Sequence, residues 1–424
     1  MGCVVRKRLV LPGDFVGFDT IARASDQAGA RHRVAATLSG NRGANIQSAA
    51  VHNRKVILRA IRALKAAEHG ALAEITGLTQ PAVFRIVKEL VREGLVISPK
   101  TRQGAKGQPA AVLAINPDYA FSIGVSVEQD SLALAIVDFA GTVRGRRHLG
   151  GVRPGRPELR RFFADCIDDF LDDHSFDASK IVGVGVTAWN GPVLLRSRVG
   201  TRPLEGHLDA VGSELAALVG SPLYVEDQAV AAAHAEATLG QVSAPDPVFY
   251  LHVSDQLSGV LIIDQQVVRG DPLHRNAPAA LPQLNPFRSS QTNLAKMLGE
   301  TVSVPAFLQF SADRGLPMHP LDEIDLADAG VDAVVEEWVN GAADLLYLPL
   351  LSIFCCLSLS SVRVGGSLPH GITARLCQAL SARLSLNLGL NWPGMAVRPA
   401  SLDTMGSAVG AGLMAFGDKW DAAR

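Results

Sequence analysis

Gln80, Ala82, Phe84, Arg85 and Lys88 fall within nine residues, directly after Thr79 and around Pro81. On a helix, residues three or four apart share a face. An amide, a guanidinium, an ammonium and small or flat apolar groups on one face suit the edges of base pairs. Gln80 can pair bidentately with adenine, Arg85 and Lys88 suit guanine or phosphate, and Ala82 and Phe84 can touch thymine methyls. Taken singly, Arg85 and Lys88 also fit an ordinary solvated face, and Phe84 also fits packing against a preceding helix. A second basic set, Lys100, Arg102 and Lys106, lies in a Gly-rich stretch suited to tracking phosphates or entering the minor groove. A mobile hairpin tip would read the same way.

The surrounding elements must position these groups. Helical periodicity begins after Asn53, a candidate N-cap, with Ile57, Ile61 and Leu64 on one face and His69-Gly70 as the expected end. Residues 71–76 read as a second short helix and Gly77-Leu78-Thr79 as a tight turn. A third helix is expected from Gln80 to about Arg92, capped by Thr79, with Pro81 in its first turn and Val83, Ile86, Val87 and Leu90 inward. Gly94 stops it. Leu95–Ser98 and Ala111–Ile115 then read as a hairpin around the basic loop, closed by Asn116-Pro117. Two helices, a turn, a third helix and a hairpin form the order of a winged helix-turn-helix over residues 51–117. Residues 1–50 carry no sustained periodicity and are expected to be a flexible arm.

Charge divides along the same line. Residues 1–120 hold 18 Lys and Arg against 8 Asp and Glu, whereas the whole chain of 424 residues nets −1. A basic N-terminal part on an acidic body points to a polyanionic partner for that part alone. The five cysteines show no C-x-x-C pair and none has a His at ligand spacing, so neither a metal nor a cofactor is expected, and a reduced, cytoplasmic protein is the simple reading. No secretory signal follows Arg6-Lys7-Arg8, and Arg6 stands where myristoylation expects Ser or Thr. The uncharged run between Asp344 and Arg363 contains Pro349 and reads as a buried helix entering a buried strand rather than a membrane span.

After residue 118 the pattern changes to alternating strands and helices. Phe121–Val127 and Leu132–Asp138 read as a hairpin, Ile181–Val186 and Leu223–Val225 as strands, and 159–171, 207–219 and 229–239 as helices. A second hairpin, Val248–Val253 with Gly259–Ile263, restarts the pattern. An α/β protein with two similar lobes around a cleft is expected, about 118–240 and 241–424.

Glu74-Ile75-Thr76-Gly77-Leu78-Thr79-Gln80, Arg85-Ile86-Val87-Lys88-Glu89-Leu90, Glu93-Gly94-Leu95-Val96 and Gly107-Gln108-Pro109 resemble the N-terminal domain of the ROK family (repressors, open reading frames and kinases), in its xylose-repressor and N-acetylglucosamine-repressor branch. Gln108 replaces the family's usual Arg. The resemblance continues through Ile123-Gly124-Val125, Val182–Val186 with Gly191-Pro192-Val193, Val225-Glu226 with Ala231–Glu236, Val364–Ser367 and Gly406–Gly412. It implies a winged helix-turn-helix followed by a two-lobed actin-like (ribonuclease H-like) sugar-kinase fold, an operator of double-stranded DNA as partner, a sugar-like effector, and a homodimer or tetramer.

The departures bear on activity. Ser126, Glu128 and Asp130 stand at the first phosphate loop, and Ser254-Asp255-Gln256 at the second. Gln228 stands at the catalytic Asp and Asp227 at the preceding Asn. Ala279–Pro282 replaces the sugar-binding Glu and His, and the Cys-rich zinc loop is missing. The expectation is a transcriptional regulator with no enzymatic activity. The alternatives are a sugar kinase with an N-terminal extension and a regulator whose lobes only dimerise. An effector, on this resemblance, would meet Asn190, Glu226, Asp227, Gln228 and His274.

Overall fold

The computed structural model describes residues 46–98, 112–128, 131–150, 161–166, 169, 177–188, 217, 220–240, 247–269, 277–288, 293–316, 321–388, 396–402 and 404–417. Lys100, Arg102, Lys106, Asn190, His274, most of the N-terminal arm and the segment 207–216 lie outside the described residues.

Three helices open the described chain: α1 (Ile46–Leu64), α2 (His69–Thr76) and α3 (Gln80–Arg92). Helix α1 starts earlier than expected. Asn53 lies inside it, and residues 46–50 belong to the helix rather than to an arm. The helix also ends sooner, at Leu64, where Lys65 adopts φ 57°. His69 and Gly70, read as its stop, instead begin α2. Gly77 closes α2 at φ 66°, a left-handed conformation that favours glycine. The expected inner stripe of α3 is buried: Val83, Ile86, Val87 and Leu90 pack with Ile57, Ile61 and Leu72. Strands β1 (Val96–Ile97) and β2 (Ala114–Ile115) pair antiparallel, and the backbones of Ala67 and Leu113 add a bridge.

The first large sheet contains β3 (Phe121–Val127), β4 (Ser131–Asp138), β5 (Val143–Gly150), β6 (Ile181–Ala188) and β7 (Leu223–Asp227), in the order β5-β4-β3-β6-β7. Helix α4 (Gln228–Leu239) follows β7 directly. The second large sheet contains β8 (Val248–Val253), β9 (Leu257–Ile263) and β10 (Gln266–Val268). A small ribbon of β11 (Pro282–Gln283) and β12 (Asn293–Met297) comes next, then α5 (Val304–Ala312) and α6 (Ala329–Leu357). Strand β13 (Ser361–Gly366), α7 (His370–Leu388), β14 (Ala396–Pro399) and α8 (Gly406–Ala415) complete the chain as described.

The order of the second sheet is β10-β9-β8-β13-β14. In each large sheet an antiparallel meander of three strands is continued by two parallel ones. The recurring hairpin in the sequence is therefore the start of a repeated five-stranded sheet. Helix α6 is long and apolar enough to cross a membrane by length and composition. Val335, Trp338, Val339, Ala342, Leu346 and Leu350 of that helix instead fill the core beneath the second sheet.

Helix α8 sits where backbones meet backbones, and every residue in it is buried. A Cβ at Gly124 of β3 would lie 1.8 Å from the Ala408 carbonyl oxygen, and one at Gly410 of α8 would lie 1.9 Å from that of Ala231 in α4. Glycine at both points is what lets α8 lie against β3 and α4 at once.

Candidate functional site

The exposed face of α3 is the first candidate. Thr79, Gln80, Pro81, Phe84, Arg85 and Lys88 are exposed and Ala82 is half-buried. Thr79 occupies the N-cap with extended backbone, but its hydroxyl makes no capping hydrogen bond, contrary to expectation. Pro81 stands in the first turn, where a missing N–H leaves no bond unmade. Phe84 does not pack on α1. It is 60% exposed, and its ring lies 5.5 Å from that of His69 in α2. The buried stripe fixes the helix and leaves the Gln80, Arg85 and Lys88 side chains outward.

The second candidate is the junction between the two large sheets, at the N-terminus of α4. The Asp227 carboxylate accepts from the Ala229 and Val230 amides at 2.9 and 3.3 Å, capping α4. Beside it, Glu226 lies 3.2 Å from Arg269 and accepts from the Asp227 amide. Gln228 is 2% exposed. Its side-chain amide donates to the Ser126 hydroxyl (3.2 Å) and to the Val127 carbonyl (3.0 Å), both at the end of β3. Its side-chain oxygen accepts from the Ser254 hydroxyl (3.5 Å) beyond β8, and its main-chain carbonyl accepts from Ser407 (3.4 Å) at the start of α8.

The residues that replace kinase-type groups in the sequence are therefore partners of one another. Ser126, Gln228 and Ser254 form one chain of neutral hydrogen bonds from the first sheet to the second. A charged Asp at position 228 would face the Val127 carbonyl without a proton to offer it, whereas the amide satisfies both neighbours. Glu128 makes a parallel link: its carboxylate accepts from Ser131 at 3.1 Å and, by a short bond, from Ser367 beyond β13. Burial pushes the Glu128 carboxyl above its ordinary range, against the opposing pull of those two hydroxyls and of His148. Nothing in the sequence alone marked Ser367 or Arg269 as partners, because both lie far along the chain from the groups they meet.

Two further buried polar side chains lie on the β8–β9 hairpin. His252 is 2% exposed, neither ring nitrogen has a hydrogen-bond partner, and burial holds its pKa down at about 4. Gln256 is wholly buried, and neither end of its amide has a partner. They flank Ser254, His252 at the end of β8 and Gln256 within the turn that the resemblance aligns with a phosphate loop.

No profile of a described protein family matches the chain. An uncharacterized protein of Sinorhizobium fredii, y4fQ, is 25% identical over 81% of this chain and 86% of its own length. The xylose repressor of Bacillus subtilis is 24% identical over 51% of this chain, and the match spans 57% of the repressor. Among solved structures, a ROK-family transcriptional regulator described as a homologue of the Escherichia coli MLC protein matches 88% of this chain and 98% of its own, at 18% identity and a TM-score of 0.58. A ROK-family glucokinase from Streptomyces griseus, solved with glucose and AMPPNP, matches 69% of this chain and 98% of its own, at 17% identity and a TM-score of 0.51. The chain has the actin-like sugar-kinase fold seen in ROK-family structures, and about half of it is similar in sequence to xylose repressors.

Proposed function

We propose that the protein is a DNA-binding transcriptional repressor of carbohydrate-related genes, with α1–α3 and the β1–β2 hairpin as a winged helix-turn-helix head and the two-sheet body as a sensor that carries out no chemistry. The observation that carries this reading is the exposed face of α3. It presents Gln80, Arg85 and Lys88 outward from a helix whose opposite side is locked into a core. The xylose-repressor relatives support it. In this reading Gln80, Ala82, Phe84 and Arg85 meet base edges, while Thr79, Pro81 and Lys88, with Lys100, Arg102 and Lys106 of the wing, meet the backbone. The head runs from the start of α1 to residue 117 and the body over 118–424, with the residues before α1 as an arm. The protein works in the cytoplasm as a homodimer, so its operator is an inverted repeat.

The kinase fold of the body favours one other reading, a sugar kinase. Phosphoryl transfer needs a base for the attacking hydroxyl and a cradle for the nucleotide phosphates. Gln228 is a neutral amide with both ends engaged, and it supplies no base. Glu128, two residues after Ser126, puts a carboxylate in the stretch that the resemblance aligns with the first phosphate loop. We therefore place a neutral, sugar-like effector at the sheet junction, against Glu226, Asp227 and Gln228, with Asn190 and His274 as further contacts.

A gel-shift selection from random duplex DNA tests the first part. The full chain should enrich an inverted repeat, and a chain lacking residues 1–117 should enrich nothing. Retained sequence-selective binding by the truncated chain would overturn the assignment. Incubation with ATP, magnesium and a panel of hexoses and pentoses should give no phosphosugar above a buffer blank, and formation of one would favour the kinase.

A further inference from the structure

Helix α1 is attached to both large sheets through two arginines three residues apart. Near its C-terminal end, Arg62 donates from a terminal nitrogen to the Phe139 carbonyl at 3.5 Å, and its guanidinium lies 5.6 Å over the Phe139 ring. Phe139 directly follows β4 of the first sheet. It is wholly buried, with its ring tilted against Tyr119 at 4.9 Å and edge-on to Phe416 at 5.4 Å. One turn earlier, the Arg59 guanidinium lies against the side-chain amide of Gln266, whose oxygen accepts from it at 2.8 Å with the amide oriented toward the arginine. Gln266 begins β10, the outer strand of the second sheet.

The sheets themselves are joined at the junction by a few side-chain hydrogen bonds: Gln228 with Ser126 and Ser254, and Glu128 with Ser367. Helix α8 links that junction to the Arg62 anchor, from Ser407 against Gln228 at its start to Phe416 against Phe139 just past its end. A rigid helix fixed to two bodies cannot keep both attachments when those bodies turn against each other.

We propose that α1 is a strap across the two sheets. Arg62 holds the first sheet and Arg59 the second, so a change in their relative angle is delivered to α1 and through it to α2 and α3. Uneven strength sets how the strap responds. The Arg62 anchor has a carbonyl and an aromatic face inside a core, whereas the Arg59–Gln266 contact lies on the outer strand of the second sheet. The Arg59–Gln266 contact is therefore the one that yields. The inference rests on the reading of α1–α3 as the functional head, but its test needs neither DNA nor an effector.

The test is hydrogen exchange of the amides in α1–α3, in the full-length chain. Gln228→Ala loosens the junction, and Ser254→Ala does so more mildly should the first variant fail to fold. In the otherwise native chain, either should change exchange across α1–α3 by threefold or more. Gln266→Ala leaves every head residue in place and should alter resting exchange in α1–α3 by less than twofold. In the Gln266→Ala background the junction variants should no longer affect the head. An equal response in both backgrounds, or no response in the native one, would overturn the strap. Loss of DNA selection with an intact exchange response would instead count against the repressor reading alone.

Discussion

Two glutamines mark the two halves of this molecule. Gln80 opens α3 on an exposed face, and its amide points away from the fold. Gln228 opens α4, is 2% exposed, and spends its side-chain amide on Ser126, Val127 and Ser254. Both stand in the first turn of a helix that follows a capping position. What separates them is what surrounds the helix. Helix α3 lies on one core with one face bare, whereas α4 is buried nearly all round between sheets. A polar side chain on a bare face is available for a partner. The same side chain in an interior must find its partners at home, or it leaves a desolvated group worth about 1–3 kcal/mol unpaired.

The comparison predicts that substitutions around α4 act on folding and those on α3 act on binding. The largest effect is expected from Gly410→Ala. Alanine in a helix interior normally gains about 1 kcal/mol over glycine. Here the added Cβ would lie 1.9 Å from the Ala231 carbonyl oxygen, backbone against backbone, with no rotamer to relieve it. Overpacking of this kind costs about 1–3 kcal/mol and at times more, so the clash outweighs the propensity. The urea midpoint should fall by the equivalent of about 2 kcal/mol or more. A midpoint equal to or above that of the native chain would show that α4 and α8 are not packed as described.

An effect of comparable size, confined to acid pH, is carried by His252. His252 has an ordinary pKa of 6.5, and burial lowers it in the fold to about 4. A histidine depressed by folding binds its proton more weakly in the folded chain than in the unfolded one. Its contribution is complete above pH 6.5 and is lost as pH falls from there through about 4. The difference corresponds to about 3 kcal/mol. Thermal unfolding of the native chain should show an acid limb in this window, and His252→Phe should flatten it. An acid limb of the same size in the variant would assign the loss to other groups.

These two regions also differ in how much of them could be read from the sequence. The inner stripe of α3, the left-handed Gly77 and the paired hairpins were legible, because periodicity and glycine placement are local. The start of α1 was not, since Asn53 imitates a cap inside a helix that continues through it. Phe84 was ambiguous because an aromatic beside a buried stripe reads equally well as inward or outward. At the junction, Ser126, Gln228 and Ser254 stood out one by one as departures from kinase chemistry. Their mutual hydrogen bonds bring together residues 102 and 26 positions apart, which no local spacing encodes. Nor did the sequence show that Glu226 and Asp227, read as effector contacts, meet Arg269 and the α4 amides.

The smallest effects should fall on α3, and they separate two kinds of contact. Gln80→Ala and Lys88→Ala both alter exposed side chains, so each should leave stability within about 0.5 kcal/mol of the native chain. Their consequences for DNA should differ in kind. Gln80 is placed to read a base edge, so its loss should relax preference at one position of each half-site by about 1–3 kcal/mol and leave the salt dependence unchanged. Lys88 is placed for phosphate, and removing one such contact lowers the slope of log K against log salt by about 1 for each chain. Its loss should weaken preferred and scrambled duplexes alike. Binding isotherms on both duplexes, from low to moderate salt, resolve the two patterns. If Lys88→Ala instead changed which base is preferred with no change in slope, its ammonium would lie on a base edge, and the face of α3 would be rotated in the groove from the placement argued here.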